Sequence, residues 1–141
     1  RARAVSELKL DSPEAAERAF YAAFEALDLD AMRRVWSRDP DCICVHPGGR
    51  RQRGYAEVMA SWEQILGSGQ RLHFKRRELA PFAGTEIAVH VLIEDIEAAE
   101  GGIRGRMIAT NVYRLEAGEW RMILHHASPV PADEPPRSRA H

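Results

Sequence analysis

The sequence lacks any apolar run near the ~20 residues a membrane-spanning helix needs, so no membrane partner is expected. It also lacks a surplus of either charge. Twenty Lys and Arg against 21 Asp and Glu leave a formal net charge of −1. Without a basic field, nucleic acid is not expected as a partner either. Cysteine is scarce. Cys42 and Cys44 are the only two, too close on one strand to bridge without strain, and no second pair completes a zinc site. Two buried free thiols fit a reducing cytoplasm. Phosphate-cradling glycine loops are missing, since Gly48-Gly49 and Gly101-Gly102 sit in hairpin turns, and no serine occupies a nucleophile elbow. No cofactor is therefore expected. No signal peptide is legible, and the start at Arg1 without Met fits loss of an upstream segment.

What is present describes one domain with one core: 141 residues, 45% hydrophobic and 29% charged. Ser12-Pro13-Glu14 is a helix start, with a capping hydroxyl, proline at the first helical position and then an acid. Ala16, Phe20, Ala23, Phe24 and Leu27 follow at helical spacing. Asp28 or Asp30 caps a second short helix carrying Met32, Val35 and Trp36. Cys42 to His46 reads as a short strand, Pro47-Gly48-Gly49 turns the chain, and Arg50 to Arg53 return along a basic, solvated edge. Tyr55, Val58, Trp62, Ile65 and Leu66 mark a third helix that ends at Gly67. Four strands are predicted after it, at about 71–82, 86–97, 103–115 and 119–128. Residues 1–11 form an extension, 12–129 the domain, and 130–141 a proline-rich tail expected to be flexible. The order predicts an α+β fold with the helices on one face of a curved, mostly antiparallel sheet.

The last hairpin decides which way its side chains point. A two-residue loop at Ala117-Gly118 needs positive φ at Ala117, which is costly, whereas a three-residue loop, Glu116-Ala117-Gly118, needs it only at Gly118. The longer loop is expected. It sets Leu115 opposite Glu119, Asn111 opposite Ile123 and Ala109 opposite His125. One face then carries Ala109, Asn111, Ile123, His125 and Ala127, whose small members leave room for a cavity beside Asn111 and His125. The other carries Ile108, Thr110, Val112, Trp120, Met122, Leu124 and His126, and suits a homodimer contact. A slip of one residue exchanges His125 and His126.

Several motifs bear on chemistry: "VHPGG" at Val45–Gly49, Trp36 and Trp62 on helices, "ATNVY" at Ala109–Tyr113, and "WRMILHHASP" at Trp120–Pro129. Together with the layout, they resemble the SnoaL-like branch of the nuclear transport factor 2-like superfamily, which includes ketosteroid isomerase. The resemblance spans residues 12–129. It implies a cone, in which a strongly curved sheet wraps around the helices, encloses one pocket and pairs with a second copy through the sheet. It sets His46, before Pro47, where the isomerases keep a general base. The isomerases' oxyanion-stabilising tyrosine aligns with Phe20, and Tyr21 is expected to point about 100° away. Their acidic oxyanion partner has no counterpart, although Asn111 offers an amide.

The expected function is that of a dimeric binding domain whose single pocket takes a small apolar or weakly acidic molecule. His46 is the candidate base. Asn111, His125, Trp36, Trp62, Phe20 and His126 are the candidate ligand contacts. Other readings are an acid–base isomerase or dehydratase on a cyclic or polyketide-like substrate, and an association module without ligand. Each candidate also has a plain structural use: a turn histidine, a paired buried amide, or tryptophans in the core. Of His46, His125 and His126 at most two can converge, with no carboxylate beside them, so no metal is expected.

Overall fold

The computed structural model describes residues 9–131. Its elements run α1 (Pro13–Ala26), α2 (Leu29–Val35), β1 (Ile43–Val45), β2 (Arg51–Arg53), α3 (Tyr55–Leu66), β3 (Leu72–Ala83), β4 (Ile87–Ala98), β5 (Ile103–Glu116) and β6 (Glu119–Pro129). The strands form one curved, unclosed mixed sheet in the order β2-β1-β6-β5-β4-β3. Only β1 with β6 is parallel. The expected α+β architecture is what the chain adopts. The first eight residues, and all of the expected tail beyond Pro131, lie outside the described residues.

Local chemistry sets the helix ends. The Ser12 hydroxyl accepts from the Ala15 amide at 3.0 Å, and the Asp28 carboxylate does the same for Ala31. Helix α3 begins at Gly54, with φ 87°, where a Cβ would come within 3.1 Å of the Pro40 carbonyl. Phe20, Trp36, Trp62, Met32, Val35, Val58 and Met122 fill the space between helices and sheet.

The β5–β6 hairpin corrects the predicted register. Its loop is the two-residue one, with φ 50° at Ala117 and 84° at Gly118. Leu115 faces Trp120, and Tyr113 faces Met122. The register then shifts, leaving Ile123 as an extra residue, so that Asn111 pairs with His125 and Ala109 with Ala127. Trp120 and Met122 therefore sit in the core, not on the outer face where the longer loop had set them. The cost of one left-handed alanine was real but outweighed: the short loop plus the bulge buries Trp120, Met122, His125 and Ala127 together.

That cost is measurable. Ala117→Asn creates the Asn-Gly pair favoured in such a turn, and should raise stability by about 1 kcal/mol in urea unfolding. An unchanged or lower midpoint would show that the backbone at residue 117 stores no strain.

Candidate functional site

Inside the sheet, polar side chains appear where apolar ones are the norm. Glu17 and Tyr21 lie one turn apart on α1; His90 and Glu94 lie on β4, Asn111 and Tyr113 on β5, and His125 on β6. All seven are buried. A buried polar group is expensive unless paired, and these pair with one another. One oxygen of the Glu17 carboxylate accepts from Tyr113 Oη at 2.8 Å, His90 Nδ1 at 3.0 Å and Asn111 Nδ2 at 3.4 Å. Asn111 Nδ2 also donates to Tyr21 Oη at 3.1 Å. The Tyr21 phenol donates to Glu94 Oε2 at 2.5 Å. Since the Asn111 amide nitrogen points at a carboxylate, its Oδ1 must be the atom that accepts from His125 Nδ1, at 2.6 Å. His125 is thereby the Nδ1–H tautomer.

Burial dominates the proton affinities. It pushes the Glu94 carboxyl up to about 7, with the nearby Glu17 adding to the rise and the Tyr21 hydrogen bond opposing it. It holds the Tyr21 and Tyr113 phenols well above their ordinary value. It drives His125 down to about 3 and His46 down to about 4.

The sequence-predicted residues divide. Asn111 and His125 meet, but Phe20 and Trp62 pack on the His125 ring, with centroids at 4.9 and 6.1 Å. The space expected as a cavity beside the pair is thus taken up by rings. His46 stands across Trp62, 4.7 Å between centroids; its Nε2 donates to Ser61 Oγ at 3.0 Å, and its ring lies beside Cys44. His126 is exposed on the outer face, beside Val45 of β1. Trp36 and Trp62 are fully buried, and their indole nitrogens have no hydrogen-bond partner among the described residues. Three surface hollows, of about 590, 290 and 690 Å³, are lined by none of Asn111, His125 and His46.

Two expectations about α1 and its partner change. Phe20 and Tyr21 both point inward, because the sheet curls far enough round α1 to meet the Tyr21 side as well. An acid does face that tyrosine, and it is Glu94. Glu17, Tyr21, His90, Glu94 and Tyr113 were missed in the sequence, although a signal was there. His90, Leu92 and Glu94 alternate along β4 on the same side as buried Ala88, and Tyr113 follows Asn111 by two.

At its open end the network approaches solvent beside Glu14, Arg76 and Glu78. The exposed Arg76 guanidinium lies 4.6 Å from the Tyr21 ring centroid. Glu14 Oε2 is 3.7 Å from His90 Nε2. Among the described residues, one group could hold a metal ion: Glu17, Glu78 and His90, with ligand atoms within 4.8 Å of one another.

Residues 14–133 match the SnoaL-like domain family. The chain belongs to that family. This SnoaL-like chain is 40% identical to a crystal structure from Thiobacillus denitrificans ATCC 25259, described as a candidate calcium/calmodulin-dependent protein kinase type II association domain. The match covers 89% of this chain and 100% of that one, at a TM-score of 0.82. A candidate dehydratase of the NTF2-like family from Streptomyces avermitilis is 27% identical over 87% of this chain and 96% of its own, TM-score 0.77. A ketosteroid isomerase-like protein from Erwinia carotovora atroseptica shares the fold, at 17% identity over 86% of this chain and 96% of its own, with a TM-score of 0.70. The F-box protein SKIP8 of Arabidopsis thaliana is 28% identical over 115 residues, 82% of this chain and 48% of that protein. The chain therefore spans about half the length of the curated relative it matches.

The raised Glu94 carboxyl makes stability depend on pH. Its folded value, about 7, exceeds the ordinary 4.5, so the folded chain holds the proton that the unfolded chain releases between those values. Its contribution is undiminished below pH 4.5 and lost as pH rises through 7. Relative to wild type, Glu94→Gln should gain on the order of 3 kcal/mol between pH 4.5 and 8 in urea unfolding. The histidine titrations are common to both proteins and cancel. A difference that stays flat with pH would mean that Glu94 ionises freely in the fold.

Proposed function

We propose that this SnoaL-like domain carries out acid–base chemistry of the isomerase or dehydratase type on a small carbonyl compound. The observation that carries this reading is the Tyr21–Glu94 pair. A carboxyl held to about 7 both takes and returns protons near neutrality. Beside it stand a phenol that stays protonated and an amide, Asn111, that fixes the phenol's position. With a β-hydroxy ketone, ionised Glu94 takes the α-proton while Tyr21 donates to the carbonyl oxygen as it gains charge. The C–O bond then breaks, and the hydroxyl leaves with that proton as water. With a β,γ-enone, the same proton is returned at the γ-carbon. On this reading access runs past Arg76, an exposed side chain over the Tyr21 ring whose charge suits an enolate oxygen. His46 is the weaker base, since an imidazole held to about 4 binds a proton poorly at neutral pH. Likeness to the Streptomyces candidate dehydratase supports the reading. The buried free thiols of Cys42 and Cys44 fit a reducing cytoplasm as its setting.

The test is deuterium uptake at the α-carbon of cyclic ketones, 3-hydroxy ketones and β,γ-enones in heavy water, followed by NMR. The wild-type chain should speed exchange, with loss of water or a shifted double bond. Glu94→Gln and Tyr21→Phe should each slow it by about a hundredfold or more. Exchange at the buffer rate with the wild type, or equal rates in wild type and Glu94→Gln, would falsify the reading.

A second reading, self-association, has its own observation. The outer sheet face joins Ile43, Val89, Val91, Ile108, Val112 and Leu124 across four neighbouring strands, and Ile108 is 36% exposed. Such a contiguous apolar patch is unusual on a monomer. The 40% identical relative is described as a candidate association domain. Wild type is expected to sediment as a dimer and Ile108→Glu as a monomer. A monomeric wild type at all concentrations would remove this reading.

A further inference from the structure

The open end of the network holds a mixed set of nitrogen and oxygen donors that the proton chemistry at Glu94 leaves unused. Glu17 comes from α1, Glu78 from β3 and His90 from β4. A bulge after Glu78 helps to place them. The β3–β4 register shifts between Glu78 and Ala80, so Leu79 takes no partner and Glu78 keeps the inward side opposite Leu92. One ligand atom from each of the three residues lies within 4.8 Å of the others. Ligands about 2.1 Å from a tetrahedral ion stand about 3.4 Å apart, so closure asks for little more than 1 Å of movement. Glu78 is exposed and free to supply it, while Glu17 and His90 are buried and already oriented. Glu14, with Oε2 3.7 Å from His90 Nε2, lies beside this set but outside it. Among the described residues, none of these three carboxylates is paired with a lysine or arginine. Three acids stand around one imidazole, and the Arg76 guanidinium is a cation close enough to act on Glu78.

We propose that Glu17, Glu78 and His90 bind one divalent transition-metal cation at the open end of the cone. The imidazole nitrogen favours zinc over calcium and magnesium, which prefer oxygen ligands throughout. The position between buried and exposed ligands gives the ion a route in and leaves it a face for water or an oxygen of a ligand. The inference goes beyond the acid–base reading and does not rest on it, because Glu78 takes no part in proton transfer at Glu94.

Calorimetric titration of the chelator-treated full chain with zinc chloride tests it. Wild type should take up one ion per chain, and its thermal midpoint should rise with zinc. Glu78→Gln, an exposed and fold-neutral change, should weaken binding by at least about tenfold and abolish the midpoint shift. His73→Gln, at the exposed histidine beside Glu25, should bind as wild type does. So should Glu94→Gln, even if that variant shows the acid–base reading to be wrong. No saturable heat in wild type, or equal binding in wild type and Glu78→Gln, overturns the site; the latter would place the ion elsewhere, for instance on Cys42 and Cys44.

Discussion

The Glu17 carboxylate is the joint between helix and sheet. A single oxygen accepts from His90 on β4 and from Asn111 and Tyr113 on β5. Taking a carboxylate out of water costs several kcal/mol, and the donors on both strands are what offset it. The dependence is mutual. Tyr113 is wholly buried, so its hydroxyl has no water to turn to if α1 rotates away. Rotation of α1 about its axis is thus fixed by polar geometry, while its distance from the sheet is fixed by packing of Phe20 against His125. Everything placed on the next turn of α1, Tyr21 above all, inherits its position from that joint.

The bulge at Ile123 does for β6 what Glu17 does for α1. A strand of uniform alternation through Trp120 and Met122 would bury Leu124 and His126 and expose His125. The extra residue changes the parity midway. The first half of β6 then sends Trp120 and Met122 inward to the helices, and the second half sends His125 to Asn111. Apolar packing at one end of the strand and polar pairing at the other are thereby reconciled.

Much of this could be read from residues alone, for reasons that also explain the failures. Ser12-Pro13, Asp28 and Gly67 mark helix ends through local chemistry, and the helices begin and stop there. That Asn111 and His125 share one face was legible only because two errors together restored the parity of the strand, although not its register. A three-residue loop and an unbulged strand each displace the register by one in the same sense, so the expected partner of Asn111, Ile123, is two residues short of the real one, His125, and Trp120 and Met122, which lie between loop and bulge, fall on the wrong side. Glu17, His90 and Glu94 went unread because charge at an inward position looks like a break in the apolar pattern until the partner strand is known. Long-range pairing, between residues as far apart as Tyr21 and Glu94, leaves no local trace.

The way the network is satisfied restricts what can enter it. Its donors and acceptors are spent on one another: Tyr21 on Glu94, Asn111 on Tyr21, Glu17 and His125. A purely apolar ligand that pushed these groups apart would leave buried polar atoms stranded at roughly 1–3 kcal/mol each. A ligand with an oxygen placed to accept from Tyr21 replaces a bond instead of losing one. The same logic does not apply on the far side of the sheet, where Val112 and Leu124 offer area without direction. On the acid–base reading, selectivity for oxygenated molecules would belong to the inner face and tolerance to the outer one, because hydrogen bonds are directional and apolar burial is not.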